Sequence, residues 1–151
     1  MTPQPARERF AQLAILTGTL GMMLALIGLF PSITGVEPRT GVGVLQILII
    51  CFGLFLLVFG ALIFVKITFF TATETNLAQD IAIRLSLTGL IMTAAAGLAD
   101  VFGFGSHTPG DLDNLPFLGP WQALGMAIGF VTASLGVLIF TIMGPTEKES
   151  R

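Results

Sequence analysis

The chain has 151 residues, of which 54% are hydrophobic and only 11% are charged, and its formal net charge is −2. An ordinary soluble domain carries about 25% charged residues and could not expose so many apolar side chains to water. The weakly acidic charge argues against nucleic-acid binding, and a single cysteine excludes a disulfide within the chain. Composition therefore predicts one domain, residues 1–151, embedded in a lipid bilayer.

Four segments are long and apolar enough to cross a membrane as α-helices, which requires about 20 residues each. They lie at about residues 10–30, 41–65, 81–102 and 120–143. Three contain no charged residue, whereas Arg84 and Asp100 lie near the two ends of the third. Pro31 marks the end of the first helix, and Asn76 with Gln79 has the spacing of a capping box before the third. The sequence predicts an all-α membrane protein with four transmembrane helices in a compact bundle.

The basic residues predict the orientation of the four helices. Four crossings place both termini and the loop at about residues 66–84 on one side of the membrane. That side carries Arg7, Arg9, Lys66, Arg84, Lys148 and Arg151, whereas the opposite side carries Arg39 alone. Because cytoplasmic loops are enriched in Lys and Arg, we expect both termini in the cytoplasm, with the inner or plasma membrane as the default location.

The second and fourth predicted helices resemble each other. Residues 42–64 align without gaps on residues 118–140, and the alignment pairs Gly43/Gly119, Gln46/Gln122, Gly53/Gly129 and Gly60/Gly136. The first and third helices share Leu16-Thr17-Gly18 and Leu87-Thr88-Gly89. These matches predict two tandem helical hairpins related by a parallel internal repeat, with a pseudo-twofold axis along the membrane normal.

Small residues form a stripe on each predicted helix. In lipid such stripes mark close helix–helix contacts, because apolar side chains gain little from leaving one apolar environment for another. The predicted packing residues are Gly18, Gly53, Gly60, Gly89, Gly125, Gly129, Ala133 and Gly136. Gln46 and Gln122 lie on the same faces, and we expect each to hydrogen-bond within the bundle, either to the other or to backbone.

The predicted outer surface carries the remaining candidate sites. Asp100 shares a helix face with Gly89, which leaves three interpretations: a salt bridge with Arg39, a solvent-exposed carboxylate, or an ion or substrate site. The following loop contains His107, Asp111 and Asp113. These residue types could bind a divalent metal, but their spacing is not diagnostic, and the turn-forming Gly103, Gly105, Pro109 and Gly110 favour a structured polar loop.

The absence of certain residue types from the predicted spans limits the possible functions. No ionisable residue lies near the middle of a predicted span, where ion-coupled transporters usually have one. No histidine lies in a span, which excludes axial His ligation of a haem there. We therefore expect no enzymatic activity, cofactor or metal, but a non-catalytic accessory or scaffold subunit. Its partners would be lipid and other transmembrane proteins, or copies of itself. A small channel for a neutral solute and an outer-surface ion-binding or enzymatic site are the alternatives.

Overall fold

The computed structural model describes residues 4–35, 42–70, 74–104 and 118–144. Within these ranges the protein is all-helical. Its four long helices are α1 (Gln4–Leu29), α2 (Val44–Phe69), α3 (Leu77–Gly97) and α4 (Pro120–Ile142), and a short 3₁₀ helix, Pro31–Thr34, follows α1. Each long helix is apolar enough and long enough to cross a membrane, which confirms the predicted number of candidate spans.

The helix boundaries differ from the predicted ones, most of all in α3. This helix ends at Gly97, so the expectation that it continues to residue 102 is wrong. After Gly97 the Ala99 N–H donates to Ala96 O, three residues earlier, instead of to the fourth preceding residue as in an α-helix. Further along the turn, Gly103 has a φ of +79°. Glycine adopts this left-handed conformation readily, and it turns the chain out of the helix. At the other end Asn76 caps α3 as expected, since its Oδ1 accepts the Gln79 N–H at 2.8 Å.

The chain forms two antiparallel hairpins, α1 with α2 and α3 with α4. Glycines allow the backbones to touch in both. A Cβ built on Gly53 would lie 2.5 Å from Ala25 N and 2.7 Å from Gly21 O. A Cβ built on Gly129 would lie 2.6 Å from Thr93 N and 2.7 Å from Gly89 O. A side chain at either glycine would therefore separate the two helices of its hairpin.

The packed positions of α4 alternate in spacing between four residues and three. The buried residues of this helix are Gln122, Met126, Gly129, Ala133, Gly136 and Phe140. This is the heptad spacing of coiled coils, in which two helices remain in contact along their length at a small crossing angle. Each hairpin is thus a close-packed pair whose interface is made mainly of small residues.

The two hairpins meet through α2. In the described residues α2 contacts α3 and α4, whereas α1 contacts neither of them. A Cβ on Gly97 would lie 2.9 Å from Ile47 Cγ2, and Val65 packs with Ala82 and Phe140 in a buried cluster. The described helices therefore do not close into a ring. Instead of the compact bundle expected from the sequence, α2 lies in the centre, with α1 on one side and the α3–α4 hairpin on the other.

Large apolar side chains cover the outside of this arrangement. On α1, Leu16, Leu20 and Met23 are each more than half exposed, at 64%, 53% and 57%. Soluble monomers rarely present apolar surface that is continuous along a helix. The exterior thus has the character of a surface that lipid or another apolar helix covers.

Candidate functional site

The most organised polar feature is a row of side chains on α3 that bond to the backbone of α4. Asn76 Nδ2 donates to Met143 O at 2.7 Å, and Gln79 Nε2 donates to Phe140 O at 3.4 Å. Ser86 Oγ donates to Ala133 O at 3.0 Å. The Thr93 hydroxyl lies 3.3 Å from Met126 O and 2.9 Å from Gly89 O of its own helix. We call Asn76, Gln79, Ser86 and Thr93 the polar ladder.

The heptad spacing of the two helices positions the ladder. Gln79, Ser86 and Thr93 follow one another at intervals of seven residues, and so do the carbonyls that they contact. An interval of seven residues returns to the same helix face after two turns. All three side chains are buried, so their bonds form away from water, where an unmade hydrogen bond is costly.

Small residues on α4 bring the acceptor carbonyls within reach of the ladder. A Cβ on Gly136 would overlap Ser86 Oγ, and one on Gly129 would lie 2.5 Å from Thr93 Oγ1. Glycine at these two positions therefore lets each hydroxyl approach the α4 backbone. Where helices cross a membrane, hydrogen bonds between them contribute about 0.6–2 kcal/mol each.

Two buried amide atoms have no hydrogen-bond partner among the described residues: Gln79 Oε1 and Gln122 Nε2. Gln79 is fully buried and Gln122 is 8% exposed. Gln79 lies near the start of α3, beside the end of α4, whereas Gln122 lies near the start of α4. A buried donor or acceptor left unpaired costs about 1–3 kcal/mol, so each amide is a weak point of the α3–α4 hairpin.

The two glutamines singled out from the repeat bond differently. Gln46 Nε2 donates to Gly28 O of α1 at 2.6 Å and so connects the helices of the first hairpin. Gln122 Oε1 accepts the Gly119 N–H at 2.7 Å, which caps the start of its own helix. Both side chains bond to backbone, but only Gln46 bridges two helices through these bonds.

A basic side chain closes the opposite end of the first hairpin. Arg7 donates from Nε to Ile67 O at 3.1 Å and from Nη2 to Thr68 O at 2.6 Å. These carbonyls belong to the last turn of α2, which carries partial negative charge that a cation stabilises. Arg7, Glu8, Ala11 and Thr68 line a pocket of about 330 Å³ at this point. The lining of this pocket includes one cationic side chain, Arg7, and one anionic side chain, Glu8.

The structure places Asp100 in the turn after α3 rather than on the helix. In this turn the residue is half-buried. Arg39, His107, Asp111 and Asp113 lie outside the described residues, so the Arg39–Asp100 salt bridge and the metal-binding loop stay predictions. Among the residues that the structure does describe, no group of three or more His, Cys, Asp or Glu could hold a metal ion.

The predicted packing glycines lie in the hairpin interfaces, but they differ in how tightly they pack. Gly53, Gly60, Gly89, Gly129 and Gly136 are buried, as is Ala133, and a Cβ on any of these five glycines would meet the backbone of the facing helix. Gly125 is half-buried and faces Ala96 Cβ. A Cβ on Gly18 would come no closer than 3.9 Å to Leu57 O, so only its backbone contributes to the contact.

Sequence reasoning missed the ladder and the role of Arg7. The ladder had a signal, because three polar residues at intervals of seven within an apolar helix indicate one buried polar face. Arg7 had none, since its acceptors are backbone carbonyls about 60 residues away along the chain.

Neither a known protein family, a characterised protein nor a solved structure shows significant similarity to this chain. The functional argument therefore rests on the geometry of the chain.

Proposed function

We propose that this chain is a multi-pass integral membrane protein that serves as a non-catalytic subunit or scaffold of a membrane protein complex. The observation that carries the proposal is the incomplete coverage of its helices. α1 contacts α2 but, within the described ranges, neither α3 nor α4. Its outer face of large apolar residues therefore remains available for lipid and for other transmembrane helices.

The arrangement of polar groups favours this role over that of a channel for a neutral solute. Solute pathways need polar groups that line an opening. The hydroxyls of Ser86 and Thr93 instead bond to carbonyls within the α3–α4 hairpin. The described helices also leave the ring open at α1. A subunit that completes its packing with a partner fits both features.

We also propose that the two hairpins are a duplicated unit, with both termini on the cytoplasmic side. Gly53 contacts Gly21 and Ala25 in the first hairpin as Gly129 contacts Gly89 and Thr93 in the second. The matching contacts support a common ancestor for the two pairs. By these contacts the counterpart of Gly89 is Gly21. The shared Leu-Thr-Gly sequence instead pairs Gly89 with Gly18, which lies one helical turn before Gly21.

In this proposal the small-residue stripes hold the two helices of each hairpin together. They are occupied inside the hairpins, where a Cβ on Gly21 or Gly89 would strike the facing backbone. Partners would therefore bind to the surfaces that remain exposed, and the stripes would hold the hairpins rigid while they do so.

The proposal is tested by purifying the full chain from native membranes in a mild detergent. We expect the chain to resist extraction by alkaline carbonate and to co-purify with a stoichiometric transmembrane partner or further copies of itself. Liposomes containing the chain provide the comparison. A purified monomer without partners that raised glycerol flux above that of empty liposomes would favour the channel and contradict the scaffold.

A further inference from the structure

The pocket at the start of α1 and the end of α2 carries both signs of charge. Arg7, Glu8 and Ala11 belong to the first turns of α1, and Thr68 belongs to the last turn of α2. Arg7 and Glu8 are exposed, whereas Ala11 is half-buried. The volume of about 330 Å³ is at the lower end of the range for ligand pockets, about 300–1,000 Å³. The lining therefore offers a contact to each charge of one small zwitterionic ligand.

Arg7 retains donors for such a ligand. Its bonds to Ile67 O and Thr68 O use Nε and one hydrogen of Nη2, and a guanidinium has more N–H donors than these two. The backbone carbonyls hold the guanidinium in place and leave its positive charge uncompensated. Guanidinium N–H groups bind phosphate oxygens strongly, because the bonds are charge-assisted and can form in pairs.

Thr68 differs from the other threonines of the four long helices. Each of the others donates its hydroxyl to the carbonyl four residues earlier in its own helix: Thr17, Thr19, Thr88, Thr93, Thr132 and Thr141. Thr68 Oγ1 is enclosed and has no hydrogen-bond partner among the described residues. A hydroxyl enclosed without a partner is costly, so a ligand in the adjacent pocket that accepts its hydrogen bond is favoured.

The pocket lies at one end of two candidate membrane spans, Ala6–Leu29 and Val44–Phe69. Lipid headgroups occupy the layers on either side of the hydrocarbon core, and the ends of spanning helices reach these layers. Beside the pocket, Phe10 is 60% exposed and Phe69 is 64% exposed. Apolar surface thus adjoins the charged lining, as the binding of a lipid with both its headgroup and its acyl chains requires.

We propose that this pocket binds the headgroup of a phospholipid that carries a primary ammonium, the chemistry of phosphatidylethanolamine. Arg7 and Thr68 bind the phosphate, and Glu8 binds the ammonium. A rotation about the Cα–Cβ bond of Thr68 directs its hydroxyl to the phosphate. The inference rests on the membrane-spanning arrangement proposed above, which puts the pocket at the level of the headgroups.

The lining favours this headgroup over two other common ones. Phosphatidylglycerol has a phosphate for Arg7 but no cation for Glu8. Phosphatidylcholine has a quaternary ammonium, which proteins bind with aromatic rings, and the described lining contains no aromatic ring. Only a zwitterionic headgroup with a primary ammonium gives each charged side chain an opposite charge and the carboxylate a hydrogen-bond donor.

Lipid titrations of the full chain in detergent micelles test the site, because micelles remove the effect of bilayer curvature. The probes are phosphatidylethanolamine, phosphatidylglycerol and phosphatidylcholine with identical acyl chains. Native mass spectrometry measures the fraction of the chain that retains one lipid. We expect phosphatidylethanolamine to bind about twofold to fivefold more tightly than either of the others, the ratio that an exposed ion pair contributes. Equal affinities would overturn the proposal.

Three variants assign the contacts, and Arg7 is kept because it also joins α1 to α2. Glu8→Gln should weaken phosphatidylethanolamine binding about twofold to fivefold without weakening phosphatidylglycerol binding. Thr68→Val removes the hydroxyl but keeps the shape, and it should weaken the binding of both lipids about fivefold through loss of a hydrogen bond. Thr141→Val is the matched control, since Thr141 is exposed on α4 and bonds within that helix. Unchanged phosphatidylethanolamine binding in Glu8→Gln or Thr68→Val, or an equal loss in Thr141→Val, would contradict the site.

Free phosphoethanolamine identifies the source of the headgroup, because it carries the same charged groups without acyl chains. At a concentration equal to that of the lipid, we expect it to leave the lipid bound. Displacement at that concentration would indicate a soluble ligand and overturn the lipid assignment. Carbonate extraction separates this proposal from the proposed function. A chain released from the membrane would refute the membrane arrangement, whereas an embedded chain that binds the three lipids equally would refute the headgroup site alone.

Discussion

Two glycine-to-alanine substitutions in the first hairpin are expected to change stability in opposite directions. In Gly53→Ala the new Cβ would start 2.5 Å from Ala25 N and 2.7 Å from Gly21 O, although ordinary contacts begin at 3.4 Å. These obstacles are backbone atoms, so α1 must move away as a whole and the neighbouring contact at Gly60 loosens with it. Overpacking of this kind costs about 1–3 kcal/mol.

Gly18→Ala is the matched control on the facing helix. Its Cβ would meet only Leu57 O, at 3.9 Å, which is an ordinary contact. Alanine then contributes its better helix propensity, about 0.5–1 kcal/mol. Reversible unfolding by sodium dodecyl sulfate in mixed micelles measures the free energy of unfolding of both variants. Equal losses in both, or a larger loss in Gly18→Ala, would refute the reasoning from backbone contact.

Three further predictions concern the polar groups and the orientation. Ser86→Ala should lower the free energy of unfolding in mixed micelles by about 0.6–2 kcal/mol, because it removes the hydrogen bond from Ser86 to α4. Ser134 is exposed and bonds only within α4, so Ser134→Ala should stay within about 0.5 kcal/mol of the parent. Similar losses in both variants would argue against the ladder. Gln46→Leu should destabilise more than Gln122→Leu in the same assay, because only Gln46 bonds across to α1, and the reverse order would count against that bond. Reporter enzymes that are active only in the cytoplasm should work at both termini, and activity at one terminus alone would exclude an even number of crossings.

The number and type of the helices were predictable because hydrocarbon imposes a minimum length on any apolar segment that crosses it. Their ends were not. α2 continues past Lys66 to Phe69 and α1 begins at Gln4, since backbone hydrogen bonds extend a helix beyond the apolar run. α3 stops at Gly97 instead of residue 102, because its chain turns towards the left-handed Gly103. Such turns depend on local hydrogen bonds rather than on hydropathy.

The candidate site was predictable in composition but not in pairing. Of the small residues and glutamines that the sequence singles out, Gly129, Gly136 and Gln122 are buried, whereas Gly18, Gly125 and Gln46 are half-buried. Which residue faces which depends on the antiparallel register of the two helices, and the composition of one helix does not specify that register. The polar ladder arises only when Ser86 meets the carbonyl of Ala133, and neither residue carries a sequence signal for the other.

The two hairpins are stabilised by different means, and this difference supports the proposed role. Two buried hydroxyls of α3, on Ser86 and Thr93, reach α4 carbonyls midway along the second hairpin. The first hairpin has its polar bridges near its ends, at Arg7 and Gln46, and close backbone contact in between. Because lipid provides no hydrophobic force between helices, the two hydroxyl bonds of the second hairpin contribute to the contact between α3 and α4. Within the described residues α1 packs on one long helix, α2, so a partner that packs on α1 would give this helix a second contact.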